Sequence, residues 1–389
     1  MLDQKLNNNL KSTMTTQRIH ALDALRAIMM LLGIVLHTSL SYTVVAAEEH
    51  WFFNDPHNTW IGFDFIFSAI HFFRMPIFFM VAGFFAALLF YERSAQTMLK
   101  NRLQRIVYPF LVFVMLLWLM NALSLGFAFG EFKAAGFPIS DEYGPRPFHW
   151  TQLFPKVTMH LWFLYYLIWL SGLGWLLGKL TQAAPSFFQK FNSKFSNLLQ
   201  HSLLKLLIPI LLTFCMLCLI DQDWIITPIS WIPNIKALAF YAIFYFFGWF
   251  LYQSRTQLPT FQQHAWLLTL LAFGLVAVQF IGIEFPLLSR FINAILAWCF
   301  VYGITGLFFR FFSQPSNSMR YISDASYWIY LIHLPLTILL PTLLIGWTIP
   351  ALFKFLIVVI AASMICLVTY HYGVRGTFIG QFLNGRRYR

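Results

Sequence analysis

Ten runs of apolar residues, each about long enough to cross a lipid bilayer, divide this chain, and no other feature limits its fold so strongly. They fall at 22–46, 61–91, 106–130, 159–178, 203–220, 237–253, 265–283, 290–312, 322–345 and 350–371. A bilayer core takes about 20 apolar residues in helical form, because backbone N–H and C=O groups in lipid must be bonded within the chain. Only 10% of the residues are charged, against about 25% in soluble domains. The expected fold is therefore an all-α polytopic membrane protein, a bundle of about ten transmembrane helices.

The charges set a topology. Eighteen Lys and Arg residues fall in segments on the N-terminal side of the membrane; six fall on the other side, together with nine acids. Positive residues collect in cytoplasmic segments, so both termini are expected in the cytoplasm. The formal net charge of +12 is thereby accounted for by a lipid bilayer rather than by nucleic acid. A cleaved leader ending near Ala46 and Ala47 is not expected, since the preceding segment carries Asp23, Arg26 and His37. Residues 1–20 read as a cytoplasmic tail, 21–372 as the membrane domain and 373–389 as a basic cytoplasmic tail. The outer loop 131–158 holds four prolines, and the inner loop 179–202 reads as a flexible polar connector. The four cysteines lie in apolar runs and read as small buried hydrophobes. Cys215 and Cys218 form a lone CxxC with no second pair, so no metal is expected.

Ionisable groups inside a bilayer cost roughly 2.5–3.5 kcal/mol each at a helix centre, and so mark functional sites. Arg26 and His37 of the first span are eleven residues apart, on one helix face and roughly 16 Å apart along the axis. Asp23 precedes Arg26 by three residues and can pair with it. The second span carries Asp64, His71 and Arg74, then Pro76, which kinks a helix, and Gly83, which permits close helix approach. Arg74 lies too deep to reach water easily and needs an anionic partner or a wet cavity. Lys100, Arg102 and Arg105 follow on the inner side, where two guanidiniums at i,i+3 suit phosphate. His160 and Trp162 open the fourth span at the outer interface. Tyr327, Tyr330 and His333 lie on the ninth and can line a polar cavity.

These stretches together resemble the membrane acyltransferase-3 family. The matching elements are Arg26-x10-His37, "FRMPIFFMVAGFF", the R-x-x-R of Arg102 and Arg105, "HLWFL" and "YLIHLP", spread from residue 20 to about 340. The chain departs from a common family wording at Ala82–Gly83, where Ser-Gly is frequent. The resemblance implies an integral inner-membrane O-acyltransferase of a bacterium, moving an acyl group from cytoplasmic acyl-CoA to a periplasmic glucan. No tightly bound cofactor is implied; succinyl-CoA or acetyl-CoA is the donor. Arg102, Arg105, Lys100 and Arg26 would hold the donor. His37 would act as base or acyl carrier, with Asp23, Arg26, His71, Arg74 and His333 around it, and His160, Trp162 and Tyr330 would meet the acceptor. Imidazole, with an intrinsic pKa of about 6.5, suits proton removal from a sugar hydroxyl.

Three other readings stand beside this one. The chain would acetylate an O-antigen or another surface glycan, or it would be a transporter or channel with a buried His/Arg pathway. A sensor or assembly subunit without chemistry is the third. The lack of a visible internal repeat and the inner arginine pair count against transport.

Overall fold

Each apolar run becomes a helix, and the breaks fall where capping residues and prolines interrupt it. The computed structural model describes residues 19–45, 53–55, 57–137, 144, 149–223, 227–280 and 282–387, and among these there is no strand. The helices are α1 (His20–Leu40), α2 (Ile61–Glu92), α3 (Ala95–Arg102), α4 (Tyr108–Ala134), α5 (Trp162–Ala183), α6 (Pro185–Gln200) and α7 (Leu204–Ile220). They continue with α8 (Ile235–Gln253), α9 (Ala265–Gln279), α10 (Pro286–Phe311), α11 (Asn317–Leu343), α12 (Ala351–Thr369) and α13 (Phe378–Asn384). Side chains of Ser94, Asn234 and Ser316 accept the amides of Thr97, Ala237 and Met319 and so cap α3, α8 and α11.

Eight helical segments among the described residues are long and apolar enough to cross a membrane. The number rises to ten when two bent pairs are each taken as one span: α6 with α7, bent by 112°, and Arg255–Gln262 with α9, bent by 66°. The chain is thus an all-α bundle with the expected helix count. We call the end that carries Arg26, Arg102, Arg105 and Arg386 the basic face, and the end that carries Asp55, Asp64 and Lys354 the opposite face.

Helix α1 is central, packed against α2, α10, α11 and α12. Helix α2 crosses α8 at two glycines. A Cβ on Gly83 would come 1.9 Å from the Tyr245 carbonyl oxygen, and one on Gly248 would come 1.8 Å from that of Met80. Only glycine lets the two backbones meet so closely.

Prolines inside helices remove the amide that the carbonyl four residues earlier needs, and side chains take its place here. Pro209 frees the carbonyl of Lys205, which accepts the Tyr302 hydroxyl at 2.9 Å. Pro335 frees that of Leu331, which accepts Nε2–H of His160 at 3.0 Å.

On the opposite face, Lys354 Nζ and Asp55 Oδ2 form a buried pair at 2.6 Å. The Asp64 carboxylate accepts the amides of Val44 and Val45 at 2.8 and 2.9 Å. Asp64 therefore ties down the chain after α1, and Lys354, expected among the loop charges, is a core residue.

Two expected connectors are helical. Residues 185–200 form α6, whose Phe191 and Phe195 stack on Phe250 and Phe247 at 4.7 and 5.5 Å. Within the expected tail 373–389, α13 folds back onto the basic face. Cys299 and Cys366 are buried, Cys218 is half-buried and Cys215 is exposed. The N-terminal tail through residue 18 and most of the proline-bearing part of loop 131–158 lie outside the described residues.

The α2–α8 crossing gives a contrast in stability. Gly248→Ala should destabilise the purified protein by about 1–3 kcal/mol through overpacking. Gly274→Ala in α9, where nothing lies within 4 Å of the added carbon, should be neutral or stabilising. Thermal unfolding in detergent measures both; equal melting temperatures would remove the close crossing.

Candidate active site

The site begins at Gly33. On α1, Arg26, Met30, Gly33 and His37 are spaced by four, three and four residues, so they form one stripe of the helix. Because Gly33 has no side chain, two buried polar groups converge on it. A Cβ there would lie 2.7 Å from Arg74 Nη2 and 2.9 Å from His333 Nε2. The Arg74 guanidinium, only 7% exposed, donates through Nε to the Met29 carbonyl at 2.9 Å. It lies 5.7 Å over the Phe78 ring, and among the described residues no carboxylate reaches it within ion-pair distance.

Three imidazoles surround this point. His333 lies in the middle, with ring centroids 5.2 Å from His37 and 5.1 Å from His160. Its Nδ1 is 2.7 Å from the Tyr330 carbonyl. A carbonyl only accepts, so Nδ1 carries the proton and Nε2 keeps its lone pair. That Nε2 is buried with no hydrogen-bond partner among the described residues. His160 is fixed the other way: Nε2–H donates to Leu331, and Nδ1 keeps the lone pair. Tyr330 donates to the His160 carbonyl at 2.8 Å, tying α11 to the start of α5. His37 is half-buried, whereas His333 is fully buried.

Towards the basic face lies a cavity of about 340 Å³. Arg26, Arg102, Arg105 and Arg386 line it, with Asp324 as its one carboxylate. Met30, Phe78 and Phe163 also line it. Phe78 and Phe163 pack with centroids 5.0 Å apart, and the Phe78 ring is the one that Arg74 overlies. One aromatic ring therefore touches both the cavity and the centre at Gly33.

The sequence-derived candidates divide clearly. His37, Arg74, His160, His333 and Tyr330 come together. Arg26 lines the cavity and pairs with Asp23 at 3.6 Å. Arg102 and Arg105 line it too, but with separate anchors. Arg102 Nη2 reaches the Ala82 carbonyl at 3.4 Å, and Arg105 Nη1 donates to the carbonyls of Gln381 and Phe382 at 3.0 and 2.7 Å. Arg105 lies within a π-type turn, Leu103–Val107, that begins directly after Arg102. The Arg105 carbonyl accepts the Tyr327 hydroxyl at 2.9 Å.

Other candidates lie apart. His71 is one turn before Arg74, half-buried, with Nε2 3.3 Å from Thr227 Oγ1. Lys100 is exposed and outside the cavity lining. Trp162 is buried and packs in the aromatic core, against Tyr241 at 5.5 Å. Sequence reasoning missed Gly33, Phe78, Asp324 and Arg386. Gly33 sits four residues before His37 in an otherwise bulky run, and Asp324 is an acid at the start of a span; both were visible signals. Among the described residues no group of three or more His, Cys, Asp or Glu is placed to hold a metal.

A membrane bundle with a buried guanidinium–imidazole centre above an arginine-lined cavity defines an integral membrane protein equipped for proton transfer and anion binding. The family model described as Acyltransferase domain, the acyltransferase-3 family, matches residues 19–370, and the chain belongs to that family. Membership of a family described as an acyltransferase domain favours acyl transfer over the transport and sensor readings. The chain is 31% identical over 185 residues to glucans biosynthesis protein C of Shigella dysenteriae serotype 1 (strain Sd197) and of Escherichia coli (strain K12). The match covers 46% of this chain and 44% of each relative, less than half the relatives' length. No solved structure matches the chain.

Gly33→Ala tests the centre. The atoms nearest the new methyl are the end of the Arg74 side chain and the His333 ring rather than backbone, so folding should survive. Displacing either group should lower acyl transfer roughly tenfold or more, the scale of a lost charge-assisted hydrogen bond. Wild-type transfer in a folded Gly33→Ala protein would show that the convergence plays no part.

Proposed function

We propose that the chain is a bacterial inner-membrane O-acyltransferase that moves a succinyl group from cytoplasmic succinyl-CoA to a hydroxyl of a periplasmic glucan. The observation that carries this reading is the meeting of Arg74 Nη2 and His333 Nε2 over Gly33, directly above the arginine-lined cavity. The cavity's guanidiniums suit the phosphates of coenzyme A, and the stripe from Arg26 to His37 leads from the cavity to the imidazoles. The name of the relatives supports a glucan acceptor.

The donor thioester enters past Met30 and Phe78 and places its carbonyl at Gly33. The acceptor hydroxyl arrives from the opposite face, where His37 is half-buried. His37 removes the hydroxyl proton as the oxygen bonds to the thioester carbon. Charge developing on the carbonyl oxygen falls beside Arg74, where a fixed cation away from water stabilises it strongly. The neutral His333 ring, its centroid 5.2 Å from that of His37, lies beside the imidazolium that forms. When the intermediate collapses, the C–S bond breaks and the thiolate takes that proton, leaving the ester and free coenzyme A. Arg74 also keeps donors for a second anionic group, which suits the free carboxylate of a succinyl chain.

Mass spectrometry of periplasmic glucans from cells making the wild-type or variant protein tests this reading. His37→Ala should lower ester-linked succinate by about 10²–10⁴-fold, as loss of a general base does. His333→Ala keeps the base and should cost less, about 10–100-fold. Unchanged succinate in His37→Ala would end the proposed role of His37, and acetate in place of succinate would reassign the donor.

Phe78 gives a second test. Its ring divides the cavity from the centre, so a smaller residue should let water follow the thioester. In Phe78→Leu, coenzyme A release should exceed glucan acylation, whereas the wild type keeps the two equal. Equal yields in the variant would deny Phe78 this part.

A further inference from the structure

The basic cavity is partly built by residues beyond the membrane spans. Helix α13 packs against the basic face with Leu383 only 2% exposed, and Leu383, Asn384 and Arg386 all line the cavity. Four hydrogen bonds fix this segment. Arg105 Nη1 donates to the carbonyls of Gln381 and Phe382 at 3.0 and 2.7 Å, in the last turn of α13. Asn384 Nδ2 donates to the Asp324 carbonyl at 2.8 Å, and Arg386 Nη2 donates to Asp324 Oδ1 at 2.9 Å. Gly385, at φ +78°, ends α13, and its missing Cβ leaves room for the Arg105 guanidinium.

Arg105 thus commits its Nη1 donors to holding the segment, while Arg386 is brought to the cavity wall by it. Of the four cavity guanidiniums, Arg26 and Arg386 face nearby acids, and Arg386 is the one paired to the cavity's own carboxylate. Its side chain is 44% exposed, so it can turn from Asp324 to another anion without loss of packing. Asp324, at 13% exposure, cannot follow it out.

We propose that Arg386 is a phosphate-binding residue for the coenzyme A moiety of the donor, and that Asp324 holds it in place until a phosphate takes over the guanidinium. The C-terminal segment is then one wall of the donor site, and Arg105 serves the donor indirectly by latching that wall. This deepens the acyl-CoA reading and rests on it.

The test is binding of coenzyme A, and separately of pantetheine, to the full-length protein in nanodiscs. Wild type should bind both. Arg386→Gln should weaken coenzyme A roughly tenfold or more, the scale of a lost charge-assisted hydrogen bond, and leave pantetheine unchanged. Asp324→Asn, which removes the competing charge, should bind coenzyme A as tightly as wild type or more tightly. Equal weakening of coenzyme A by Arg386→Gln and Asp324→Asn would overturn the proposal, because the pair would then only fasten the segment. So would an Arg386→Gln protein that binds coenzyme A like wild type, or one that loses pantetheine equally. A wild-type protein that binds no coenzyme A would instead remove the acyl-CoA reading itself.

Discussion

A guanidinium inside a helical bundle must be given acceptors, because leaving it bare in hydrocarbon costs several kcal/mol. Arg74 finds one in the Met29 carbonyl, and that bond fixes how α1 and α2 lie against each other at the heart of the molecule. The bond is possible because Gly33, one turn later on α1, leaves the backbone open to a flat side chain. Everything around the centre follows from this placement. The Nη2 atom is left beside Gly33, as is His333 Nε2, and the guanidinium carbon rests over Phe78. A larger residue at Gly33, or a lysine at Arg74, would break the flat approach that the site depends on.

The stripe on α1 then joins two environments that have opposite needs. Phosphates want several cations, and four guanidiniums line the basic cavity. A thioester carbonyl under attack wants fixed dipoles and little water, and the centre at Gly33 has fully buried His333 and nearly buried Arg74. Met30 and Phe78 stand between the two. Roughly 16 Å of helix separates Arg26 from His37, a distance that suits a long flexible arm and not a rigid nucleotide. The divide is thus matched to a donor whose charged and reactive ends are far apart.

Much of this was legible in the sequence because bilayer physics is severe. Apolar run length gave the helices, and the cost of buried charge singled out Arg26, His37, Arg74 and His333, all of which line the cavity or the centre. Legibility failed where a residue's partner is distant in the chain. Lys354 and Asp55 are 299 positions apart and read as loop charges. Arg105 reads as half of a phosphate pair, and its Nη1 also binds carbonyls 276 and 277 residues away, which local spacing does not show. A short amphipathic segment such as 185–200 is read as a connector because its polarity hides the phenylalanines that pack on α8. Trp162 misled for a related reason: an aromatic at a span's start fits an interfacial belt, and only tertiary packing reveals that it is core.

Pro335 explains why three imidazoles can share so small a space. By removing one amide from α11 it leaves the Leu331 carbonyl free, and His160 Nε2–H fills that vacancy from the turn Met159–Leu161 before α5. The same turn of α11 offers the Tyr330 carbonyl to His333 Nδ1–H. Both tautomers are therefore set by backbone groups, with no acid required. An aspartate doing the same work would add a negative charge beside Arg74 and draw the guanidinium towards itself. Orienting the histidines through carbonyls keeps Arg74 as the one fixed full charge at the Gly33 centre, and a fixed cation whose field is not cancelled by a neighbouring carboxylate is the arrangement most favourable to a negative charge that forms and disappears within one reaction cycle.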